Sequence, residues 1–154
     1  MFPDWYHGGF PDIELVMRDL FSPLLTDVDI VPWFPKPAEY VPHLESGGSY
    51  LRATRTGGSF NFDENRDEPR VQIAALSKSR AQSWALTEFV RQTLWTFRRG
   101  ALVPGTDVQL QTTGEVLGPQ LIPENIVEPR LVPATFALTT WKLGDTSYRQ
   151  ALGL

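Results

Sequence analysis

The chain has 154 residues, of which 42% are hydrophobic and 21% charged, a composition typical of one folded domain rather than of a disordered chain. Its formal net charge of -4 argues against a protein that grips DNA, because phosphate contacts require a basic face. The absence of cysteine excludes disulfides, thiolate catalysis and cysteine zinc sites.

The N-terminal third combines an aromatic arm, a helix and a proline-rich stretch. We predict that residues 1–10, which are rich in aromatic side chains and glycine, form an arm, and that residues 11–154 form a single α+β domain. A helix is predicted over residues 11–25, because apolar side chains recur there at spacings of three and four. Residues 28–33 suit a short strand, and the prolines of residues 35–48 predict a loop.

The centre of the chain predicts two strands joined by a charged loop. The first strand is predicted over residues 50–56 and ends in a turn at Gly57 and Gly58, where glycine permits positive φ. An acidic loop is predicted over residues 60–68. The nearly apolar residues 70–77 predict a central strand that is covered on both faces.

A long helix over residues 80–99 is the strongest periodic signal in the chain. Ser77 or Ser79 is predicted to cap its start, and Ser79 and Gln82 have capping-box spacing. Gly100 follows its end. The residues that recur with helical spacing, and that we expect to face the core, are Leu86, Phe89, Val90, Thr93, Leu94 and Phe97.

The C-terminal part predicts strands and loops. We expect one or two short strands over residues 108–117, a loop over residues 121–128, and a strand over residues 130–143 that is broken or edge-like at Pro133. Residues 144–154 have no clear period. The predicted fold class is therefore α+β, with a small, mostly antiparallel sheet packed against a long central helix and an N-terminal helix.

Residues with catalytic or metal-binding potential are few. His7 and His43 are the only histidines and are far apart in sequence, in segments predicted to be loops, so no triad or histidine metal site is expected. The acidic loop lacks the spacing of a calcium loop, and Gly57-Gly58-Ser59 lacks the lysine of a phosphate loop. We predict no enzymatic activity and no cofactor. No apolar run approaches the ~20 residues of a membrane span.

Arginines flank the acidic loop, and arginine is favoured at interfaces because it pairs with carboxylates in a bidentate way. We hypothesise that the acids of one subunit meet the arginines of the next in a ring. The candidate residues for a subunit or tube interface are Arg52, Arg55, Asp63, Glu64, Arg66, Asp67, Glu68 and Arg70. A second set of candidates lies in the segments 98–107 and 116–128 and includes Arg98, Arg99 and Asp107.

Several motifs, in this order along the chain, carry a resemblance to a known family. They are Asp12-Ile13-Glu14-Leu15-Val16, Arg55-Thr56-Gly57-Gly58, Arg70-Val71-Gln72-Ile73, Ser79-Arg80-Ala81-Gln82-Ser83-Trp84-Ala85-Leu86 and Ala134-Thr135-Phe136-Ala137-Leu138-Thr139. The chain resembles the tail terminator proteins of long-tailed (siphovirus-type) phages, and most closely those of phages that infect actinobacteria. The resemblance covers most of the chain from Asp12 to Trp141.

This resemblance implies a small α+β protein that forms a homo-hexameric ring on the completed tail tube. Such a ring stops the polymerisation of tube subunits and offers a docking surface to the head completion (connector) protein. It implies assembly in the host cytoplasm and a place in the virion at the head–tail junction, with DNA passing through the lumen without specific binding. The family has no catalytic, metal-binding or cofactor-binding residues to carry over.

Three other interpretations are open. A head–tail connector, stopper or adaptor of the phage neck is the nearest, but we expect such a protein to have more strand and less of a long central helix. A small enzyme would require a site that the sequence does not reveal. A nucleic-acid-binding module would bind duplex DNA in a salt-dependent way.

Overall fold

The computed structural model describes residues 1–120, 128–141 and 148–154. The strands are β1 (Val28–Val31), β2 (Ser49–Asn61), β3 (Arg66–Leu76), β4 (Ala101–Leu102), β5 (Gln109–Leu117) and β6 (Val132–Trp141). The α-helices are α1 (Ile13–Phe21), α2 (Pro37–Glu45), α3 (Arg80–Thr96) and α4 (Tyr148–Leu152), and a 3₁₀ turn over Phe97–Arg99 follows α3.

The strands of the described residues form one sheet in the order β1-β2-β3-β6-β5-β4. Among the described strands only the β1–β2 pair is parallel, and the other neighbouring pairs are antiparallel. The predicted α+β class with a mostly antiparallel sheet is therefore confirmed. β3 lies between β2 and β6, and its apolar half is buried on both faces, as predicted for residues 70–77.

The main core lies between one face of the sheet and the helices α1 and α3. Full burial of a large apolar side chain contributes about 1.5–3 kcal/mol, so this layer supplies most of the driving force for folding. Its largest fully buried side chains are Ile13, Met17, Phe21, Leu51, Val71, Ile73, Val90, Leu94, Leu110 and Leu138.

The ends of α1 and α3 follow from their capping side chains. α1 is shorter than the predicted helix, because Asp12 accepts a hydrogen bond from the Glu14 N–H at 3.0 Å and fixes the start at residue 13. α1 ends at Phe21, before Pro23. At α3 the predicted cap is confirmed, since Ser79 Oγ accepts from the Gln82 N–H at 3.2 Å.

The buried face of α3 is rotated from the predicted one. Val90, Leu94 and Phe97 are buried as expected, but Phe89 is 38% exposed. Small hydroxyl residues replace it at the sheet: Ser83 Oγ accepts from the Ser77 N–H at 2.8 Å, and Thr87 Oγ1 donates to the Val132 carbonyl at 3.1 Å. These short side chains let the helix approach the sheet closely, and bulky aromatic side chains of α3 point outward as a result.

The predicted loop over residues 35–48 is wrong, because α2 occupies most of it. Pro37 stands at the first helical position, where a missing N–H has no intrahelical partner to lose. Tyr40 and Leu44, four residues apart, are buried in a small cluster on the second face of the sheet. That burial offsets the hydrogen bond that Pro42 cannot make inside the helix.

The predicted turn at Gly57 and Gly58 is also wrong, because β2 continues through both residues. The pairing with β3 shifts register between Arg55 and Gly57, which makes this point a bulge. Gly58 has a φ of +99°, and a Cβ there would lie 2.2 Å from the carbonyl oxygen of Glu68. The glycines therefore serve a bulge and a close approach of two strands.

The chain reverses later, at residues 62–65, so that the predicted acidic loop over residues 60–68 is mostly strand. Asn65 takes a φ of +48°, which asparagine tolerates better than most residues. Since β1 ends opposite Arg52, the outer half of the β2–β3 hairpin extends beyond the first strand of the sheet.

The C-terminal region departs from the predictions at two points. β6 lies between β3 and β5 and is not an edge strand; Pro133 is its second residue, and its carbonyl faces Gln120 beyond the end of β5. The tail contains α4, which the sequence pattern did not indicate. Most of the predicted loop over residues 121–128, and the end of the strand predicted over residues 130–143, lie outside the described residues.

We predict that Glu128 makes the free energy of unfolding depend on pH in the acidic range. Hydrogen bonds from Arg130 at 2.7 and 2.8 Å, and from the Tyr40 hydroxyl at 3.0 Å, lower the pKa of Glu128 from 4.5 to about 2, with Arg130 as the main cause. Because the folded-state pKa is the lower one, this stabilisation is present above about pH 4.5 and is lost as the pH falls towards about 2.

Urea unfolding of the wild type and Glu128→Gln over this pH range measures the effect. The difference in the free energy of unfolding between the two proteins is expected to shrink as the pH falls. The control Glu45→Gln removes an exposed carboxylate that lies 3.8 Å from Lys78, and its effect on the free energy of unfolding should be small. A pH-independent difference for Glu128→Gln would contradict the assignment.

Candidate subunit interface

The first set of predicted interface residues lies on the β2–β3 hairpin and around its base. Arg55 and Asp67 form a bidentate pair inside one chain, with Nη1–Oδ2 and Nη2–Oδ1 distances of 2.7 and 2.9 Å. Asp67 is only 6% exposed, and its hydrogen bonds hold the pKa of Arg55 above the usual value. Glu14 of α1 accepts the Arg55 N–H at 2.8 Å, which satisfies the backbone at the bulge.

Arg66 uses two further acids of the set. Its Nε lies 2.8 Å from Glu68, and its Nη1 contacts Glu64. The amide of Asn61 also donates to Glu68 at 3.1 Å. The pKa of Glu68 is lowered chiefly by the Arg66 hydrogen bond and then by Asn61. These charges stabilise the outer part of the hairpin within the subunit.

Arg52 faces the opposite side of the sheet from the main core. Its Nη2 donates to Gln72 at 2.6 Å, its guanidinium lies 5.1 Å from the centre of the Phe34 ring, and burial lowers its pKa. Within the part of the chain that the structure describes, Asp63 and Arg70 are the members of the first set that are exposed and lack an ion pair.

The end of the hairpin is a well-formed turn; we refer to residues 62–65 as the hairpin tip. Asn61 Oδ1 accepts the Glu64 N–H at 3.0 Å, which fixes the turn. Phe62 is 85% exposed, and its ring packs edge-on against Phe60 at 4.6 Å between centroids. Phe60 in turn contacts Phe10 of the N-terminal arm at 5.3 Å. The tip therefore presents an aromatic ring beside Asp63.

The second set lies elsewhere on the surface. Arg98 and Arg99 occupy the 3₁₀ turn after α3, and Asp107 lies in the connection before β5; all three are exposed. The Arg98 guanidinium stacks 3.8 Å from the centre of the Trp95 ring. Neither arginine has a carboxylate partner in residues 1–120, 128–141 or 148–154.

A groove of about 430 Å³ runs beside Arg98, and we call it the α3–β5 groove. Its lining includes Arg91, Gln92, Trp95, Arg98, Gly114, Glu115 and Phe136. Arg91 is held by Glu115 at 2.6 Å and by Glu88, and these hydrogen bonds raise the pKa of Arg91. Trp95 is 57% exposed. Trp95 is not among the predicted interface residues, although a tryptophan off the apolar stripe of a helix is a signal for a contact surface.

The other face of the sheet carries a second groove of about 520 Å³. Arg66, Glu68 and Arg70 line it from β3, and Thr139 lines it from β6. In β3 these side chains alternate with the buried Asp67, Pro69 and Val71, as the two faces of a strand require. The groove is polar and open, which suits contact with a protein surface.

The histidines do not form a catalytic site with one another. His43 belongs to α2, not to a loop as predicted; its ring packs 4.6 Å from the Tyr50 ring, and its Nε2 lies 3.8 Å from Asp29. His7 lies in the N-terminal arm. Over the described residues there is no group of three or more metal-ligating side chains. No helix in this part of the chain is long and apolar enough to cross a membrane.

We predict that Asp67 stabilises the fold and that Asp63 does not, and neutral variants of the two residues distinguish these roles. Asp67→Asn should lower the free energy of unfolding by about 1–3 kcal/mol, because it leaves the Arg55 guanidinium without its buried carboxylate. The matched variant Asp63→Asn, on the exposed hairpin tip, should stay within about 0.5 kcal/mol of the wild type. Chemical denaturation measures both, and equal effects would contradict the distinction.

Comparison with known proteins identifies the family of the chain. A family model described as "Phage tail termination protein" matches residues 9–146. A comparison with curated proteins gives no match. The family match covers well over half of the chain, including the hairpin, α3 and the α3–β5 groove. The chain therefore belongs to the phage tail termination protein family, as a structural protein of the phage tail and hence of the virion.

Proposed function

We propose that this protein forms a homo-hexameric ring that caps the completed tail tube and stops its polymerisation. In this proposal the opposite side of the ring docks the head completion (connector) protein at the head–tail junction. The protein acts by binding alone, without catalysis or a cofactor. Membership of the tail termination family supports a tail role, and the ring, the tube contact and the connector contact are the parts that we add.

One observation carries the ring proposal. The acidic hairpin tip lies at the β2–β3 turn, whereas Arg98 and Arg99 lie beside β5, and β6 and β3 separate β5 from β2 in the sheet. Two complementary patches at different places on one chain favour head-to-tail contacts, which generate a closed ring when the rotation between copies allows closure. A self-complementary patch would favour a two-fold dimer instead.

We assign the two sets of predicted interface residues to two different contacts. The hairpin set, from Arg52 to Arg70, is proposed for the subunit or tube contact, with Asp63 and Arg70 as its externally available charges. The set of Arg98, Arg99 and Asp107 is proposed as the second interface. We propose that residues 11–154 act as one domain and that the arm over residues 1–10 supports the hairpin through Phe10.

The net charge of the chain supports a passive role towards DNA. With a formal charge of -4, a ring of copies repels phosphate on average, so that DNA passes through the lumen without specific binding. The resemblance described above leads us to propose terminators of actinobacteriophages as the nearest relatives, with assembly in the host cytoplasm. The length of α3, residues Arg80–Thr96, favours a terminator over a stopper or adaptor of the neck.

We expect the purified protein to assemble into rings of about six subunits, visible by negative-stain microscopy and by native mass measurement at high concentration. Added to polymerising tube protein, it should bind one tube end and shorten the tubes in proportion to its concentration. Tube protein alone is the control. Tubes of unchanged length with no particle at either end would overturn the capping function.

A further inference from the structure

We infer that the hairpin tip of one subunit seats in the α3–β5 groove of the next copy of this chain, with Phe62 as the anchor. This inference rests on the proposed ring and specifies its lateral contact. It joins the two sets of interface residues into a single contact, in which the first set supplies the ligand and the second set supplies the receptor.

The hairpin tip has the properties of a preformed ligand. Phe62 is 85% exposed although its strand is ordered up to Asn61, and the Asn61–Glu64 hydrogen bond at 3.0 Å fixes the turn that carries it. Arg66 supports the tip from within through Glu64 and Glu68. A rigid tip loses little conformational entropy on binding, and burial of an exposed phenyl ring supplies a favourable term.

The α3–β5 groove has the properties of the matching receptor. Trp95 is 57% exposed, and Arg98 lies stacked on its ring at 3.8 Å, so that both are already positioned. Tryptophan and arginine are the residues most often found at binding hot spots. The volume of about 430 Å³ leaves room for an aromatic side chain beside Phe136.

Charge complementarity identifies a second copy of the chain as the occupant. Arg66, the arginine nearest the acidic tip, pairs with Glu64 and Glu68, and Arg55 pairs with Asp67. Arg70 has no ion pair but lies farther from the tip, opposite Gly57 of the same hairpin. Asp63 at the tip, and Arg98 and Arg99 beside the groove, have no ionic partner among the described residues of their own chain. Insertion of the tip places the unpaired acid beside these arginines and Phe62 against Trp95.

Engineered disulfides test the contact directly, because the natural chain has no cysteine. In Asp63→Cys/Gln92→Cys, which keeps the Phe62 ring, the two thiols should oxidise between subunits and give a ladder of covalent oligomers on a non-reducing gel. A disulfide requires Cα atoms about 4.4–6.8 Å apart, so that the signal is specific to the contact. Each single-cysteine variant should give no species larger than a dimer.

The matched control is Asp63→Cys/Lys78→Cys. Lys78 is exposed before the start of α3, about 20 Å along the helix from Gln92 at 1.5 Å per residue. This pair should form no ladder. Equal ladders for both pairs, or no ladder for Asp63→Cys/Gln92→Cys, would overturn the inference.

Charge exchange gives an independent test by measuring the concentration at which rings form. Asp63→Arg and Arg98→Glu/Arg99→Glu should each raise this concentration by about tenfold or more, and the two combined should recover most of the loss. Trp33→Ala is the control, because Trp33 is 73% exposed outside both surfaces and its loss should leave assembly unchanged. Additive losses without recovery would contradict direct pairing.

The outcomes separate this contact from the ring itself. If the wild-type protein forms rings but Asp63→Cys/Gln92→Cys gives no ladder, the tip-in-groove contact is refuted and the ring is not. If substitutions in the hairpin tip leave the rings intact but abolish their binding to the tail tube, the tip belongs to the tube contact. If the wild-type protein stays monomeric at all concentrations and also binds tube ends as single copies, both the ring and the tip-in-groove contact are refuted.

Discussion

The bidentate pair between Arg55 and Asp67 supports the part of the protein that apolar burial cannot hold. β2 runs out from the core at this point, and its residues 55–60 are exposed. Asp67 is buried by contrast, so that its charge would be costly without the guanidinium. Glu14 of α1 takes the Arg55 N–H at the bulge. The base of the hairpin is thereby tied to the first helix, and the tip can project without becoming a loose loop.

A second constraint acts at α3. Ser83 and Thr87 fill the narrow space between the helix and the sheet, and both hydroxyls are hydrogen-bonded. Ser83 and Thr87 take inner positions in the first half of α3, and the large aromatic residues Trp84, Phe89 and Trp95 lie outward. A soluble monomer gains nothing from exposed tryptophans, whereas a subunit of an assembly can bury them against its neighbours. Packing inside the subunit thus determines which surface is offered outside it.

The sequence predicts the elements whose pattern is set by local chemistry. The Ser79 cap, α3 and the apolar centre of β3 are examples, because capping and hydrophobic periodicity depend on neighbouring residues. The errors arise where tertiary contacts decide. A helix begins at Pro37 because Tyr40 and Leu44 are buried in a cluster against the sheet. Glycine is required at position 58 of the strand because the Glu68 backbone lies too close for a Cβ atom. Neither neighbour can be seen in a local pattern.

The candidate interface shows the same division. The charged residues of the hairpin are conspicuous in the sequence. Which of them form ion pairs within the subunit depends on the side-chain contacts of the folded hairpin. Arg55 is opposite Val71 in the strand register and reaches Asp67 through its long side chain, whereas Arg66 and Glu68 share one face of β3. Asp63 is left at the tip. The α3–β5 groove was beyond the sequence argument, since it joins Trp95 on a helix with Gly114 and Phe136 on two strands.

The central claim is that the outer β2–β3 hairpin is a rigid extension of the sheet, ready to bind before any partner arrives. Amide hydrogen exchange of the unassembled protein, read by mass spectrometry on peptides that cover residues 57–70, tests this most directly. The account predicts slow exchange that approaches that of the inner half of β3 and becomes faster in Asp67→Asn. Exchange at the rate of an unstructured peptide in the wild-type protein would contradict it.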